Sequence, residues 1–352
     1  GTFAPGVSVG FGPNYWDIGV GDFDENGDLD FIGGDSGARV ALGAGNGSFA
    51  MGGFYAMGGS PEGLLVADLN GDTHDDFITA DSGSATVSVR LGNGDGTFMA
   101  ATGYPVGANP RHLALADMDN DSEDDLLVGY GAQFYVSLLT GNGDGSFNAE
   151  VQVPTISSGG PVVAEDLDGD GNLDIAYASL FQDELVVVRG HGNGSFDAPD
   201  PGPIISSSPG LGTFSLDARF ADLDKDGLHD VVTLLDDGAN SIAAMLADGT
   251  GAFTLTATSA AGTTPNDIGI ADLDNDTNLD VIVTNQGSNN ASILLGNGDG
   301  TFDPMFTIPT INAPLAIVTG LFNNDANVDL AILAELPTPA AFILLGNGAA
   351  GF

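Results

Sequence analysis

The chain of 352 residues contains no cysteine, one tryptophan and only six basic residues. Without cysteine no disulfide holds the fold, and thiolate metal sites and thiol nucleophiles are excluded. Arg39, Arg90, Arg111, Arg189, Arg219 and Lys225 are scattered among 49 acids, for a net charge of −43. A phosphate backbone would be repelled, so nucleic acid is not an expected partner. An anionic membrane surface is disfavoured for the same reason. No apolar run approaches the roughly 20 residues of a membrane-spanning helix, so membrane insertion is not expected. Sustained 3.6-residue periodicity is also missing, and 54 Gly with 17 Pro argue against long helices. The chain opens at Gly1 rather than Met, as a mature or trimmed segment would, so the lack of a leader says little.

What is present is an acidic cassette, Asp-x-[Asp/Asn]-x-[Asp/Asn]-[Gly/Thr/Ser]-x-x-Asp. It occupies residues 22–30, 68–76, 117–125, 166–174, 222–230 and 272–280. A seventh copy, 321–329, keeps Asn323, Asp325 and Asp329 but begins with Leu321. The starts are separated by 46, 49, 49, 56, 50 and 49 residues. A regular period of this length signals an array, a solenoid or a propeller. A second motif keeps the same phase, as in Leu91-Gly-Asn-Gly-Asp-Gly-Thr-Phe98 and Leu295-Gly-Asn-Gly-Asp-Gly-Thr-Phe302, with variants ending at Phe49, Phe147, Phe196, Phe253 and Phe352. Its glycines suit a tight turn or bulge rather than a metal site.

Between the motifs lie short apolar runs such as 64–67, 76–80 and 86–91, which read as strands. Each repeat supplies about four. Four-stranded units repeated radially predict an all-β, seven-bladed β-propeller forming one domain over 1–352. The chain starts with the tail of the glycine motif and ends with its head. The spacing therefore predicts that residues 2–10 complete the last blade and remove two open sheet edges.

The cassette gathers oxygen around one hard cation. Positions 1, 3, 5 and 9 offer side-chain oxygens, and position 7 its carbonyl. The candidate ligands are Asp22, Asp24, Asn26, Asp28 and Asp30; Asp68, Asn70, Asp72, His74 and Asp76; Asp117, Asp119, Asp121, Glu123 and Asp125; Asp166, Asp168, Asp170, Asn172 and Asp174; Asp222, Asp224, Asp226, Leu228 and Asp230; and Asp272, Asp274, Asp276, Asn278 and Asp280. Calcium takes six to eight oxygens in flexible geometry, magnesium keeps more water, and zinc prefers nitrogen and sulfur. About six calcium ions are expected. Asp-Gly and Asn-Gly also make plain hairpin turns. A plain turn, however, gains nothing from crowding carboxylates, since each like-charged pair about 4 Å apart costs roughly 1 kcal/mol in water and about 4 kcal/mol near a protein surface. An EF-hand is excluded by the strand-like flanks and by the absence of a Glu at a twelfth position, where Tyr177 follows Asp166.

Ala271-Asp-Leu-Asp-Asn-Asp-Thr-Asn-Leu-Asp-Val281 followed by Leu295-Gly-Asn-Gly-Asp-Gly-Thr-Phe302 resembles the FG-GAP and VCBS repeats, the family that includes the propeller of integrin α subunits. Residues 67–77 and 221–231 match in the same way. The resemblance implies seven blades, calcium in the loop between the first and second strands, an extracellular or cell-surface setting, and a binding or adhesion role. It implies ligand contact on the opposite face, here residues 10–17, 107–112, 129–134, 179–184 and 206–217. Leu321 departs from the pattern and puts the seventh metal position in doubt.

On that face Tyr15 and Trp16 could stack on a sugar, although packing against a neighbouring blade is the commoner use. Arg111 and His112 could grip an anionic group or form a rim ion pair. Phe181 and Phe134 could be exposed anchors or blade fillers. The expected partner is an extracellular protein or carbohydrate, with the isolated domain monomeric. A polysaccharide lyase or hydrolase, and a structural spacer in a larger surface protein, are the alternatives. Catalysis is disfavoured because the four His are scattered and most Asp residues belong to cassettes. An acidic pair in the channel with perturbed pKa values would restore it.

Overall fold

The computed structural model describes residues 7–10, 17–34, 37–131, 133–155, 159–179, 184–198, 205–206, 213–236, 239–310, 312–334 and 340–348. Among these, all regular structure is β-strand, arranged as seven antiparallel sheets of four strands. No helix of the described residues is long and apolar enough to cross a membrane.

Each blade repeats one plan. An innermost strand, such as Pro61–Ala67, lines the central channel. The cassette then turns the chain into the second strand, Asp76–Asp81. A hairpin leads to the third, Thr86–Arg90, and the glycine motif to the outermost, Thr102–Pro105. The expected strands at 64–67, 76–80 and 86–91 fall on these elements, with ends shifted by up to three residues. Second strands Asp76–Asp81, Asp125–Tyr130, Asp280–Asn285 and Asp329–Ala334 are buried at every position. They lie between neighbouring blades on both faces, so they are mostly apolar after the leading Asp rather than alternating. Outermost strands alternate, as in Phe253–Ala260, because one face meets solvent.

The predicted ring closure is present. Val7–Gly10 pairs antiparallel with Ala340–Leu344, Val7 opposite Ile343 and Gly10 opposite Ala340, as the outermost strand of the last blade. Residues 2–6 lie outside the described residues.

The core is distributed between blades. Seven apolar clusters each join two neighbours. In the cluster between the first and second blades, Phe98 of the second blade sits against Phe23, Tyr55 and Phe77, with ring centroids 5.3, 5.3 and 4.8 Å away in edge-to-face arrangements. Phe98 is the last residue of the glycine motif. The turn before it places Gly94 and Gly96 at φ 67° and 77°, a region favouring glycine. Asp95 Oδ1 accepts the Thr97 N–H at 3.1 Å. The turn then reaches backward: Gly96 N–H donates to the Phe23 carbonyl of the preceding blade at 2.7 Å. Equivalent bonds run from Gly47 to Phe322, Gly145 to Leu69, Gly194 to Met118 and Gly251 to Leu167. The glycine motif is therefore a turn, as its composition suggested, and also a link between blades.

Phe98→Ala should cost about 3–5 kcal/mol, the usual range for emptying a buried aromatic position. Chemical denaturation of the variant against the parent chain measures this, and a loss below 1 kcal/mol would deny Phe98 its linking role.

Candidate functional site

The cassettes lie, as expected, between the first and second strands of the blades. In all six intact copies the first Asp folds the loop around itself. Asp22 accepts the N–H groups of Asn26 and Gly27 at 3.0 and 2.9 Å, and Asp117 those of Asp121 and Ser122 at 3.0 and 2.9 Å. Asp68, Asp166, Asp222 and Asp272 do the same. The oxygen at position 5 accepts the N–H of position 7, for example Asp170 from Asn172 at 2.8 Å. Position 6 takes positive φ, from 74° at Thr73 to 93° at Gly227. Thr73, Ser122 and Thr277 hold this conformation without being glycine, a strain that the loop's hydrogen bonds must offset.

The seventh loop shows what the first Asp does. Leu321 has no oxygen to offer and is 48% exposed. Neither Asn324 nor Ala326 takes the positive φ found at the equivalent positions of the intact loops. Losing one carboxylate has changed the backbone as well as the donor set.

The last Asp of each cassette has a separate task. Asp30, Asp76, Asp125, Asp174, Asp230, Asp280 and Asp329 are almost wholly buried. One oxygen accepts the N–H of cassette position 2, and the other an N–H at or just past the end of the third strand. For Asp125 these are Met118 at 2.9 Å and Gly141 at 2.8 Å. Burial pushes Asp30, Asp76, Asp125, Asp174 and Asp280 up to about 6, against the pull of those N–H groups. Asp230 and Asp329 are raised for the same reason.

The donor chemistry fits a hard cation. In Asp22–Asp24–Asp30, Asp117–Asp119–Asp125, Asp166–Asp168–Asp174, Asp222–Asp224–Asp230 and Asp272–Asp274–Asp276, one oxygen of each carboxylate lies within 4.8 Å of the others. Asp119 Oδ1 is buried with no hydrogen-bond partner, an acceptor left for a ligand that is not a hydrogen-bond donor of the loop. The second cassette is looser: Asn70 replaces the third-position acid, its amide donates to Asp72 at 3.0 Å, and Asp68, Asp72 and Asp76 do not converge in this way. Side chains at positions 4 and 7 connect neighbouring loops, as in Glu25 with His74, Asn120 with Asn172 at 3.2 Å and Lys225 with Asn278 at 2.8 Å.

Tyr15, Trp16 and Phe181 lie outside the described residues. Arg111 pairs with Glu62 of the adjacent blade at 2.8 Å, the rim ion pair foreseen for it. Phe134 is 64% exposed, so it does not fill a blade interface. His112 lines a cavity of about 760 Å³ enclosed by the innermost strands.

That cavity holds a set of side chains outside the cassettes. The residue five places before each cassette is Asp17, Gly63, His112, Pro161, Asp217, Asp267 and Ala316 in turn. It stands at the end of the innermost strand away from the cassettes. Asp17, Asp217 and Asp267 accept the N–H groups of Leu64, Ile268 and Ile317 of the following blade at 3.0, 2.9 and 2.7 Å. They thus cap strand-edge donors that face the channel. Arg219 bridges Asp217 and Asp267 at 2.5 and 2.8 Å. Burial, reinforced by Asp267, raises Asp17 to about 6. Burial and Asp267 also raise Asp217 well above the usual carboxylate range, although Arg219 opposes this. Burial works against the charge of Arg219, but the three carboxylates outweigh it and raise its pKa. Burial and the two guanidiniums of Arg219 and Arg111 push His112 down to about 3, so it is neutral at physiological pH. Alignment of the repeats on the cassette was the signal that could have found this set, because this position differs from blade to blade.

With divalent ions chelated, raised carboxyls make the folded chain bind protons more tightly than the unfolded one. Their stabilisation is complete below the unfolded value of 3.8 and is lost as pH rises through about 6. The melting temperature in chelator should therefore fall between pH 5 and pH 7. A flat or rising profile would contradict the burial of these groups.

Five overlapping stretches, 68–128, 117–177, 166–233, 222–283 and 272–332, match the model of the FG-GAP-like repeat. No curated protein matches the sequence. Among solved structures, an Agrocybe aegerita lectin that recognises non-reducing terminal N-acetylglucosamine superposes with TM-score 0.60 at 22% identity, covering 85% of this chain and 81% of the lectin. A chain of the BBS1N–ARL6DN complex gives TM-score 0.69 at 12% identity over 99% of this chain and 97% of its own. A putative 6-phosphogluconolactonase from Bacteroides uniformis gives 0.62 at 12% identity over 83% and 84%. These likenesses show a shared propeller fold. The repeat model matches well over half of the chain with its cassettes in phase, and the protein belongs to the FG-GAP-like repeat family.

Proposed function

We propose that the protein is a calcium-stabilised extracellular binding module that recognises a protein or carbohydrate on the face opposite the cassettes. The observation that carries this reading is the contrast between the two faces. The cassette loops repeat one hydrogen-bond pattern six times, which suits a structural ion in each. The opposite rim varies from blade to blade and carries the exposed Phe134 and the Arg111–Glu62 pair. Conserved geometry on one side and diversity on the other is how a repeat scaffold separates stability from recognition. The lectin recognises a sugar and the similar chain of the BBS1N–ARL6DN complex is bound in a protein assembly, and both uses are compatible with this rim.

Calcium would be held by positions 1, 3, 5 and 9 with the position-7 carbonyl, from Asp22–Asp30 through Asp272–Asp280. It would supply charge neutralisation where 22 of the 49 acids are concentrated. Six ions would bring the formal charge from −43 to −31. The chain's own residues shape each loop, and the first Asp organises it through two backbone N–H groups.

A second reading, hydrolysis in the channel, draws on the Asp217–Asp267 pair and the raised Asp217. Its acidic lining disfavours a phosphorylated substrate of the kind named for the Bacteroides neighbour.

Calcium at about a hundred times its Kd should stabilise the fold by about 2.7 kcal/mol per site. Thermal melts with calcium and with EDTA test this, and equal melting temperatures would overturn the calcium assignment. A glycan array probed with calcium-loaded protein should give selective signals that weaken in Phe134→Ala. Signals unchanged by that substitution would move recognition away from this rim.

A further inference from the structure

The channel carries more negative charge than its own cations balance. Asp17, Asp217 and Asp267 face one guanidinium, Arg219. Glu62 and Arg111 neutralise each other at 2.8 Å, and His112 is uncharged. The surplus sits at one end of an open cavity of about 760 Å³, room for an elongated small molecule. Two further observations point to a ligand rather than to bracing alone. Among the described residues, neither ring nitrogen of His112 has a hydrogen-bond partner, yet the ring lines the cavity and stays neutral, with one lone pair open to a donor. The carboxylates of this ring also do not converge within 4.8 Å as the cassette acids do, so they do not form a pocket for one metal ion.

We propose that the channel mouth binds a small protonated amine, with the Asp17 carboxylate as its charged partner and the His112 imidazole as a neutral acceptor in the same cavity. An ammonium group donates hydrogen bonds and carries the charge the site lacks, and a short alkyl chain would run along the apolar walls formed by residues such as Leu113, Val162 and Ile317. Without the amine, burial first and then the charge of Asp267 favour the protonated form of Asp17, with partial compensation from Arg219. Amine binding and protonation of Asp17 therefore compete. His112, already neutral, does not titrate over the same range. The proposal is independent of sugar or protein recognition on the rim, which could fail or succeed without changing it.

Isothermal titration of the calcium-loaded protein with 1,4-diaminobutane, and with 1,4-butanediol as the neutral isostere, tests it. The expected result is one diamine per chain and no diol. Affinity should fall about tenfold from pH 7.5 to pH 5, while the diamine itself stays fully charged. Asp17→Asn retains an oxygen for the Leu64 N–H and should lose at least tenfold in affinity. His112→Leu should weaken binding severalfold and remains informative if the first variant does not fold. Binding of the diol equal to that of the diamine would mean a polyol site instead. Many weak diamine sites unaffected by either substitution would mean general attraction to an acidic chain. Either result, or no binding, overturns the proposal.

Discussion

The buried carboxylate at the end of each cassette is the interaction on which the rest depends. Its two oxygens hold one N–H at the start of the cassette and another at or just past the end of the third strand, which ties the turn between the first two strands to the glycine turn between the last two. A buried carboxylate without such donors would be costly, and two charge-assisted bonds offset that cost. The seventh blade makes the point by default. Leu321 has removed the loop's first acid, yet Asp329 still holds Phe322 at 2.9 Å and Gly346 at 2.6 Å. The blade survives the loss of the cation-type loop because the brace and the loop are separate devices sharing one motif.

Blades held in this way still need a ring. Apolar clusters between neighbours provide most of the contact, with the glycine turn adding a bond to the preceding blade and cassette side chains reaching to the next. The channel acids complete the set, since Asp17, Asp217 and Asp267 each cap a strand-edge donor of the following blade. Close packing there is also steric: a Cβ at Gly63 would run into the Arg111 carbonyl oxygen. Stability is thus spread over equivalent seams, as expected of a repeat fold.

Much of this was legible in the residues. The period set the number of blades, the short apolar runs marked strands, and the matching chain ends foretold that the N-terminal segment would complete the last blade, as Val7–Gly10 does. The cassette loops were legible because their chemistry is local: Asp22 acts on Asn26 and Gly27, a few residues away. The two roles within the motif were harder to separate. Position 9 read as a ligand like the others, whereas its hydrogen-bond partner Gly141 lies 16 residues beyond Asp125 and belongs to another turn. Arg219 looked like one of six scattered bases until the fold set it between Asp217 and Asp267, the latter 48 residues away.

The sequence by itself therefore determined the seven-blade architecture, the ring closure and the shape of each acidic loop, because each follows from periodicity or from contacts within about ten residues. Tertiary structure alone decided which acids meet in the channel. Those side chains come from different blades, and only closure of the ring brings residues 17, 112, 217 and 267 around one cavity.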